Sequence, residues 1–461
     1  MPCIKGINQL RKPPNIMEVI IQETTTIYPS NPPFNHPHTL SLSHLDTDLN
    51  LHVTFRYFRV YANLSNSNPF QLIKNALGTA LGPYYPLTGT LRKLEGCRFE
   101  LHCTPGKGVP IIRASVDYSL ESLNYLDELD ETFSERLVPN PGLVEAMDHP
   151  MILQITLFKC GGYVLGSAVH NMLCDGLGAS EFFNGVAELA RGVTRMEVEP
   201  VWERASLLGP REPVRVEFPF EEFLRLDKEF SPYLQNVGPT VRVCFPMMEK
   251  WLDRFKEYLQ ERSGSRFTTF EALGAFIWRA RVKASNIPKD TKVKFAYLMN
   301  IRKLLNPPLP KGYWGNGCIQ MYVQLTAGEL TDQPIWKTAS LIKHSKYNAN
   351  DEYVRSYIDF QKENYEKGIT AGKEVSGFTD WRHIGHSKVD FGSGGPVNVV
   401  PLSKHFLGSI EPCYFLPYSS VAVEGKEDGD GFKVLVCLRE CAKDGFMAEM
   451  DKFSRLEFDL G

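Results

Sequence analysis

The 461-residue chain lacks the signatures of several large classes of protein. No apolar run approaches the ~18 residues that are needed to cross a bilayer. The N-terminal segment MPCIKGINQLRKPPNI has no continuous apolar core, which a signal peptide requires. The ten cysteines form no CxxC pair and show no zinc-like spacing with histidine. These absences predict a soluble, cytoplasmic protein with reduced thiols and no bound metal.

Strong charge of one sign is missing as well. The 51 basic and 54 acidic residues give a formal net charge of −3, and they are spread along the chain. A protein that binds nucleic acid through its phosphates carries clustered positive charge. We therefore expect no nucleic-acid partner, and an anionic ligand would need a local basic pocket.

Motifs for covalent catalysis and for nucleotide triphosphates are also absent. The chain has no Gly-x-Ser-x-Gly elbow and no cysteine-protease pattern. The glycine-rich stretch 392–395 is not followed by the Gly-Lys-Ser/Thr of a Walker loop. His383 and His386 have i, i+3 spacing, but the intervening Gly385 favours two ordinary surface or packing histidines over a metal pair.

The sequence does contain a large apolar fraction with clear local patterns. Apolar residues make up 43% of the chain, enough for two to four lobes or one large pseudo-repeated fold. Two apolar, β-rich runs, Met151–Phe158 and 163–169, flank a Gly-Gly turn and predict a hairpin. Helical spacing from Gly176 predicts a helix that stops near Gly192.

The predicted hairpin leads into the segment SAVHNMLCDG, residues 167–176, where His170 stands at the strand end. A basic imidazole in that position can take a proton from an attacking hydroxyl or amine. Strand alternation places His170 on the face of Val164, Gly166 and Ala168, whose small side chains would leave room for a ligand. Alternatively, His170 ends the strand and hydrogen-bonds a neighbouring carbonyl.

The aspartate of the same segment precedes the predicted helix. Asp175 is expected to cap that helix or to pair with a buried arginine, rather than to transfer a proton. Arg302 is a candidate partner because it follows a predicted strand in the other half of the chain.

A second helix start offers candidate contacts for a phosphate. Thr268 and Glu271 form a capping-box pattern ahead of an apolar run. The hydroxyls and backbone of Thr268 and Thr269, with the guanidinium of Arg266, could bind a phosphate of a coenzyme, although an ordinary capped helix fits the pattern equally well.

Four segments, taken together, resemble one known family. They are the His/Asp segment, the stretch 84–92, the Tyr-Trp-Gly-Asn block at 313–316 and the Asp-Phe-Gly-x-Gly loop at 390–394. In their order and spacing, the chain resembles the plant BAHD acyltransferases over nearly its whole length. The resemblance implies an α/β fold of two domains with mixed sheets, each similar to chloramphenicol acetyltransferase, joined by a long crossover and enclosing a channel.

The resemblance also implies an organisation and a reaction. We predict a first domain over residues 1–205 with the His/Asp motif, a crossover over 206–235, and a second domain over 236–461 with the DFGSG loop. Acyl-CoA would enter the channel from one face as co-substrate and a small-molecule acceptor from the other, with no metal or other cofactor. The motif histidine would deprotonate the acceptor, which attacks the thioester carbonyl and expels CoA. We expect a monomer.

In such a reaction Asp175 would hold the geometry of the site by pairing with Arg302, and Asp390 would belong to a structural loop. With His170, the two aspartates are the candidate catalytic residues that the resemblance assigns. Arg302 is their structural partner, and Arg266, Thr268 and Thr269 are candidates for binding the coenzyme.

Two positions depart from the pattern of the family. Its His-x-x-x-Asp-Gly motif puts the histidine at the position of Asn171, and asparagine cannot act as a base. Either a bulge or an altered strand exit brings His170 into the site, or the usual chemistry is lost or altered. Ser393 stands where the family has tryptophan, which removes buried aromatic area and either loosens the loop or opens space for a substrate.

The leading hypothesis is transfer of an aromatic or hydroxycinnamoyl group from acyl-CoA to a hydroxyl or amine of a plant specialised metabolite, with His170 as general base. Two alternatives stay open. Residues 311–317 and the block EPCYFLP at 411–417 resemble the subgroup that contains coumarin synthases, in which a hydroxycinnamoyl thioester cyclises onto its own ring hydroxyl. A BAHD-like protein could also bind acyl-CoA or a partner protein without transfer, which Asn171 favours.

Overall fold

The structure is a computed structural model that describes residues 17–62, 68–127, 130–230, 238–417 and 431–455. Two sequence predictions fall partly outside these ranges. The N-terminal segment 1–16, on which the expected absence of a signal peptide rests, is one of them. The other is the end of the predicted crossover, residues 231–235.

The strands of the described residues, numbered in chain order, are β1 (Ile20–Ile27), β2 (His38–Ser41), β3 (Thr54–Tyr61), β4 (Thr90–Lys93), β5 (Phe99–Cys103), β6 (Val109–Val116), β7 (Met151–Phe158), β8 (Tyr163–His170), β9 (Arg225–Leu226), β10 (Thr240–Met248), β11 (Lys292–Asn300), β12 (Cys318–Thr326), β13 (Ile369–Thr370), β14 (Val375–Asp380), β15 (Asn398–Pro401), β16 (Cys413–Leu416) and β17 (Gly431–Arg439). The α-helices are α1 (Pro69–Ala80), α2 (Glu131–Ser134), α3 (Leu143–Asp148), α4 (Gly176–Ala190), α5 (Arg204–Leu207), α6 (Glu249–Ser263), α7 (Thr269–Ala284), α8 (Ala327–Asp332), α9 (Ile335–Ser345), α10 (Asp351–Asn364) and α11 (Lys443–Ser454).

Two mixed sheets of six strands organise the chain. The first has the order β1-β6-β7-β8-β3-β15, with β6 and β7 parallel and the other neighbours antiparallel. The second has the order β10-β17-β16-β14-β11-β12, with β14 parallel to both β11 and β16. The prediction of an α/β fold with two mixed sheets is confirmed.

Strand β15 links the two sheets in a way that the sequence did not indicate. It lies in the second half of the sequence, yet it pairs antiparallel with β3 of the first sheet, from Asn398 opposite Val60 to Pro401 opposite Tyr57. The two halves of the chain are therefore joined by a shared sheet as well as by the crossover.

The predicted hairpin of β7 and β8 is present, with a turn that passes through Gly161 at φ 82°. That left-handed conformation favours glycine. Alternation along β8 divides its side chains between two cores: Tyr163, Leu165 and Val169 pack into the larger one, and Val164 and Ala168 into a smaller one on the other face.

Helices cover the sheets and fix the ends of the strands that matter for the site. Helix α7 begins at the predicted capping box, in which Thr268 accepts the Glu271 N–H and the Glu271 carboxylate accepts the Thr268 N–H at 2.8 Å. The fully buried Trp278 of this helix packs on Phe295 of β11, with ring centroids 5.6 Å apart. Helix α4 begins directly after Asp175 and packs beside α1.

Two carboxylates of α10, Asp359 and Glu352, hold the crossover against that helix through Arg211 and Arg215. Asp359 accepts hydrogen bonds from the backbone N–H groups of Arg211 and Arg215 and from the Arg211 guanidinium, all within 2.7–2.9 Å. Because hydrogen bonds to a charged carboxylate are strong, they hold the backbone of the crossover in place between the two halves.

Candidate active site

A cavity of about 510 Å³ lies between residues of the two sheets. Phe55 and Tyr57 of β3 line it from the first sheet, and Tyr297 of β11 lines it from the second. Trp381, which follows β14, also lines it. A wall rich in aromatic rings suits a flat, apolar acyl group, because such rings pack by stacking and edge contacts.

Asn171 occupies the cavity wall at the exit of β8. Its backbone is fixed on both sides, since its N–H donates to the Val53 carbonyl and its own carbonyl accepts from the Asn316 side chain, both at 2.9 Å. It continues the face of β8 that carries Val169, which also lines the cavity. The amide of Asn171 therefore stands where the family has its histidine.

His170 lies on the opposite face of the same strand, fully buried and outside the cavity wall. Its Nδ1 accepts the Met172 N–H at 3.3 Å, and its Nε2 has no hydrogen-bond partner among the described residues. Burial, with a smaller effect of the neighbouring His52, lowers the pKa of His170 to about 3. The ring is therefore neutral near pH 7, with its proton on Nε2.

The expectation that small neighbours leave room for a ligand beside His170 is wrong. The face of β8 that carries Gly166 is covered by the segment around Leu137 and Val138, and a methyl group on Gly166 would overlap the Leu137 carbonyl. The small residues of this face accommodate a close backbone approach instead.

Asp175 and Arg302 are brought together across the two halves. The guanidinium donates to the carboxylate in a two-pronged arrangement, with Nη1 2.7 Å from Oδ2 and Nη2 3.0 Å from Oδ1. Asp175 also accepts the N–H groups of Gly178 and Gly317, each at 2.9 Å, and so caps α4. Burial would raise the pKa of Asp175, but the charge and hydrogen bonds of Arg302 outweigh it and hold the pKa below its usual value.

A second buried aspartate orders the same corner. Asp46 accepts both the backbone N–H of Asn316 at 2.8 Å and its side-chain amide at 2.9 Å. The same amide donates to the Asn171 carbonyl, so Asp46 positions the strand exit through Asn316. Sequence reasoning missed this role, although the Tyr-Trp-Gly-Asn block that carries Asn316 was recognised.

Asp390 lies outside the cavity wall and organises its own loop. Its side chain accepts the N–H groups of Gly392 at 2.7 Å and Gly394 at 2.9 Å, and its carbonyl accepts from Arg191 of α4's C-terminal cap. Phe391 is buried against Tyr61, with ring centroids 5.5 Å apart. These contacts are those of a structural loop.

The residues considered for coenzyme binding cluster at the start of α7. Thr268 and Arg266 are exposed there, and the Arg266 carbonyl accepts from Lys343 at 2.9 Å. Lys346 lies nearby in the cavity wall, paired with Glu271 at 2.7 Å. The structure thus places two lysines, which sequence reasoning did not single out, beside the predicted group.

Asp48 is a further residue that the sequence did not single out. It is buried in the cavity wall and accepts from Tyr357 Oη at 2.9 Å, from Gln361 and from Asn50. Burial raises its pKa. Every other carboxylate or lysine of the wall forms an ion pair, as in Asp175–Arg302, Asp380–Arg382 and Lys346–Glu271, but Asp48 has none among the described residues.

Both histidines of the i, i+3 pair line the cavity, His386 buried and His383 exposed. Across the described ranges, no group of three His, Cys, Asp or Glu side chains is arranged to hold a metal ion. Nor does any helix of those ranges have the length and apolar character that crossing a membrane requires.

The fold and this site define an acyl-CoA-dependent acyltransferase, and comparison with known proteins gives the family. Residues 17–453 match the Transferase family, and the chain belongs to it, that is, to the BAHD acyltransferases. Among curated relatives, a spermidine coumaroyl-CoA acyltransferase of Arabidopsis thaliana is 33% identical over 92% of this chain and 94% of its own length. A spermidine sinapoyl-CoA acyltransferase of the same plant is 35% identical over 79% of this chain and 83% of its own.

Solved structures show the same fold at lower identity. Vinorine synthase superposes with a TM-score of 0.71 at 20% identity, covering 93% of this chain and 96% of that one. TRI101 of F. graminearum, complexed with ethyl coenzyme A, superposes with a TM-score of 0.75 at 16% identity, covering 91% and 98%. The predicted family and fold are confirmed.

Proposed function

We propose that this enzyme is an N-acyltransferase, which moves an aromatic, hydroxycinnamoyl-type group from acyl-CoA to an amine that carries a second, charged amino group. One observation carries the proposal. At the exit of β8 the cavity wall has the amide side chain of Asn171 in place of the histidine of the family motif.

The type of acceptor follows from the different proton chemistry of a hydroxyl and an amine. A hydroxyl attacks a thioester well only when a base removes its proton as the bond forms. A neutral amine already offers a lone pair and attacks the carbonyl directly. The tetrahedral adduct then expels the CoA thiolate, and the ammonium proton passes to that thiolate or to solvent. A cavity with an amide instead of an imidazole at the motif position therefore favours an amine over a hydroxyl.

The charge of the wall supports an acceptor with a second amino group. Asp48 has no cationic partner among the described residues, and an ammonium beside it would favour the ionised form that burial alone disfavours. A buried carboxylate of this kind attracts an ammonium strongly, since the local dielectric is low and water is excluded. One end of a diamine or polyamine would lie toward Asp48, and the other, neutral end would attack.

The relatives agree in kind with both substrates. The names of two of them, at 33% and 35% identity, give spermidine as acceptor and coumaroyl-CoA or sinapoyl-CoA as donor. Spermidine is a polyamine, and the two acyl groups are flat and aromatic. The aromatic wall around Tyr57, Tyr297 and Trp381 suits such an acyl group.

We separately propose that His170 could act as a general base if the strand exit changed its conformation. Its Nε2 would have to reach the cavity from the far face of β8, which requires a different strand exit from the one described. Such a change would break the contact of the ring with Met172 N–H. Transfer to hydroxyl acceptors would depend on this rearrangement, whereas transfer to amines would not.

For the coenzyme we propose the start of α7. Thr268, Thr269 and Arg266 would bind phosphates there together with Lys343 and Lys346, because a helix N-terminus and nearby basic groups both favour anions. Replacement of Lys343 by methionine should then raise the KM for acyl-CoA and leave the KM for the amine unchanged.

One observation favours a second candidate, binding of acyl-CoA without transfer. The motif position carries Asn171, and the neighbouring imidazole of His170 is fully buried outside the cavity wall. Intramolecular cyclisation of a hydroxycinnamoyl thioester differs from amine acylation and from binding alone, because it releases CoA without any acceptor.

The test is CoA release by the purified enzyme with hydroxycinnamoyl, benzoyl, acetyl and malonyl thioesters, each with a polyamine, a monoamine, an alcohol or no acceptor. Release that requires the polyamine supports the proposal. Release with alcohols that is lost in His170→Ala supports the rearranged base instead. Release without acceptor indicates cyclisation or hydrolysis, and ligand-induced stabilisation without any release indicates binding alone.

We also propose that the protein is cytoplasmic and monomeric, and that its domains are divided at 1–205, 206–235 and 236–461. Size-exclusion chromatography with light scattering and limited proteolysis test the oligomeric state and the boundaries.

A further inference from the structure

His386 forms an unusual pair with an arginine of the first sheet. The imidazole lies in a 3-10 turn, His386–Lys388, just before the Asp390 loop. Its Nδ1 is 2.7 Å from Nη2 of Arg59, which stands on β3. Trp381 packs on the ring with centroids 4.7 Å apart and Tyr57 with centroids 5.3 Å apart, so the ring is held on several sides.

The partner fixes which nitrogen carries the proton. A guanidinium has only N–H donors, so Nδ1 of His386 must accept and cannot itself be protonated. In the neutral ring the proton is then on Nε2. Burial, and next the charge of Arg59, hold the pKa of His386 well below its usual value. Among the described residues, the ionisable side chains in contact with the ring are Arg59 and Tyr57. The ring is thus a fixed donor and not a base.

The Nε2 of His386 lies beside the first residue of helix α4. A Cβ built on Gly176 would lie 3.9 Å from Nε2, and Gly176 is the first residue of α4, next to Asp175. Gly176 and His386 both line the cavity, as does Asn171 at the start of the same connection. His386 therefore lines the cavity next to the connection between strand β8 and helix α4.

The arginine behind it lacks a counter-ion. Arg59 is fully buried, its Nε and Nη1 have no hydrogen-bond partner, and no carboxylate of the described chain forms an ion pair with it. A buried positive charge on the far side of an imidazole polarises the N–H that faces the cavity, and it stabilises negative charge that develops there.

We propose that His386 donates its Nε2–H to the thioester carbonyl oxygen and stabilises the oxyanion of the tetrahedral adduct, with Arg59 as the positioning residue that fixes the tautomer. The inference rests on the proposed acyl transfer. When the amine nitrogen bonds to the carbonyl carbon, the C=O electron pair moves to oxygen and is held by this hydrogen bond. When the pair returns, the carbon–sulfur bond breaks and CoA leaves as thiolate.

The tautomer can be tested without turnover. In the full-length enzyme labelled with 15N-histidine, the signal that disappears in His386→Phe should show a protonated Nε2 and an unprotonated Nδ1, and it should not titrate between pH 5 and 9. A hydroxycinnamoyl CoA analogue in which a CH2 group separates sulfur from a ketone should shift that Nε2–H. A ring with a protonated Nδ1, or one that the ketone leaves unchanged, overturns the proposal even if acyl transfer itself is absent.

Kinetics then test the role in the reaction. His386→Phe should lower kcat by about 10²–10³-fold, the usual effect of losing one oxyanion donor, with little change in the KM for acyl-CoA. His386→Gln, which keeps an N–H donor, should recover part of kcat. Arg59→Met should lower kcat and leave Nδ1 of His386 free to carry the proton, so that the ring no longer shows a single tautomer. His36→Phe, at an exposed site outside the cavity wall, should match the wild type. Equal kcat in His386→Phe and wild type would refute the role.

Discussion

Asn171 and His170 are neighbours in sequence and lie on opposite faces of one strand exit. Asn171 lines the cavity, whereas His170 is fully buried behind it against His52, with ring centroids 5.5 Å apart. The step from one face to the other is the ordinary alternation of a β-strand. Exchange of two adjacent residues is therefore enough to move an imidazole into or out of the site.

The exchange can be reversed. The double variant His170→Asn/Asn171→His should place an imidazole on the cavity wall and raise turnover with hydroxyl acceptors by about 10²–10⁴-fold, the range of general-base catalysis. Turnover with amines should change much less. CoA release with matched alcohol and amine acceptors is the measurement, and Asn171→Gln is the control for a change of size alone. Equal gains with both acceptors would contradict the proposed division.

Asp48 should set the affinity for a charged acceptor. Asp48→Asn should raise the KM for a diamine or polyamine by roughly tenfold, the equivalent of about 1.4 kcal/mol for one weakened ion pair. The KM for acyl-CoA and for a monoamine should stay the same. Asp332→Asn, at an exposed surface pair, serves as the control. An equal rise for the monoamine would show that the carboxylate shapes the cavity and does not bind an ammonium.

The buried histidine makes the fold sensitive to acid. His170 has a folded-state pKa of about 3 against an ordinary value of 6.5, so the unfolded chain binds the proton more readily. Its contribution to stability is complete above pH 6.5 and is lost as the pH falls toward 3. Between pH 7 and pH 4.5 the loss is roughly 2–3 kcal/mol of unfolding free energy. His170→Leu should show a smaller acid-induced loss in urea unfolding, and a parallel pH dependence in both proteins would contradict this.

The Asp175–Arg302 pair should matter far more for stability than a surface pair. Arg302→Met leaves a buried carboxylate without its cation and should cost about 3–5 kcal/mol of unfolding free energy. Lys289→Met breaks an exposed pair with Asp332 and should cost no more than about 0.5 kcal/mol. Urea denaturation of both variants measures the difference. Similar small losses would mean that the Gly178 and Gly317 N–H groups alone satisfy Asp175.

Local signals in the sequence predicted the local structure well. The hairpin of β7 and β8 and the capping box at Thr268 depend on residues close together in the chain, and both are present. The family resemblance gave the α/β fold and named Asp175 and Arg302, which the structure brings together.

What the sequence could not give depends on contacts between distant segments. Alternation already put Asn171 on the face of Val169, but only the structure shows that Leu137 and Val138 cover the other face. The contact between Arg59 and His386 joins residues that are 327 positions apart, so no local sequence pattern could predict it. The role proposed for Asp48 likewise depends on distant contacts, because Lys346 of the cavity wall pairs with Glu271 and not with Asp48.

Because strand β15 pairs with β3, we expect that the first half of this enzyme cannot be produced as a soluble fragment on its own. Because β15 covers the outer side of β3, a fragment that stops before the crossover would expose β3 as an unpaired edge with open N–H and C=O groups. Bare edges of this kind recruit other strands and aggregate. Attempts to express the first half alone should yield insoluble protein, and co-expression with the second half, or a peptide supplying the β15 segment, is the rational route to rescue.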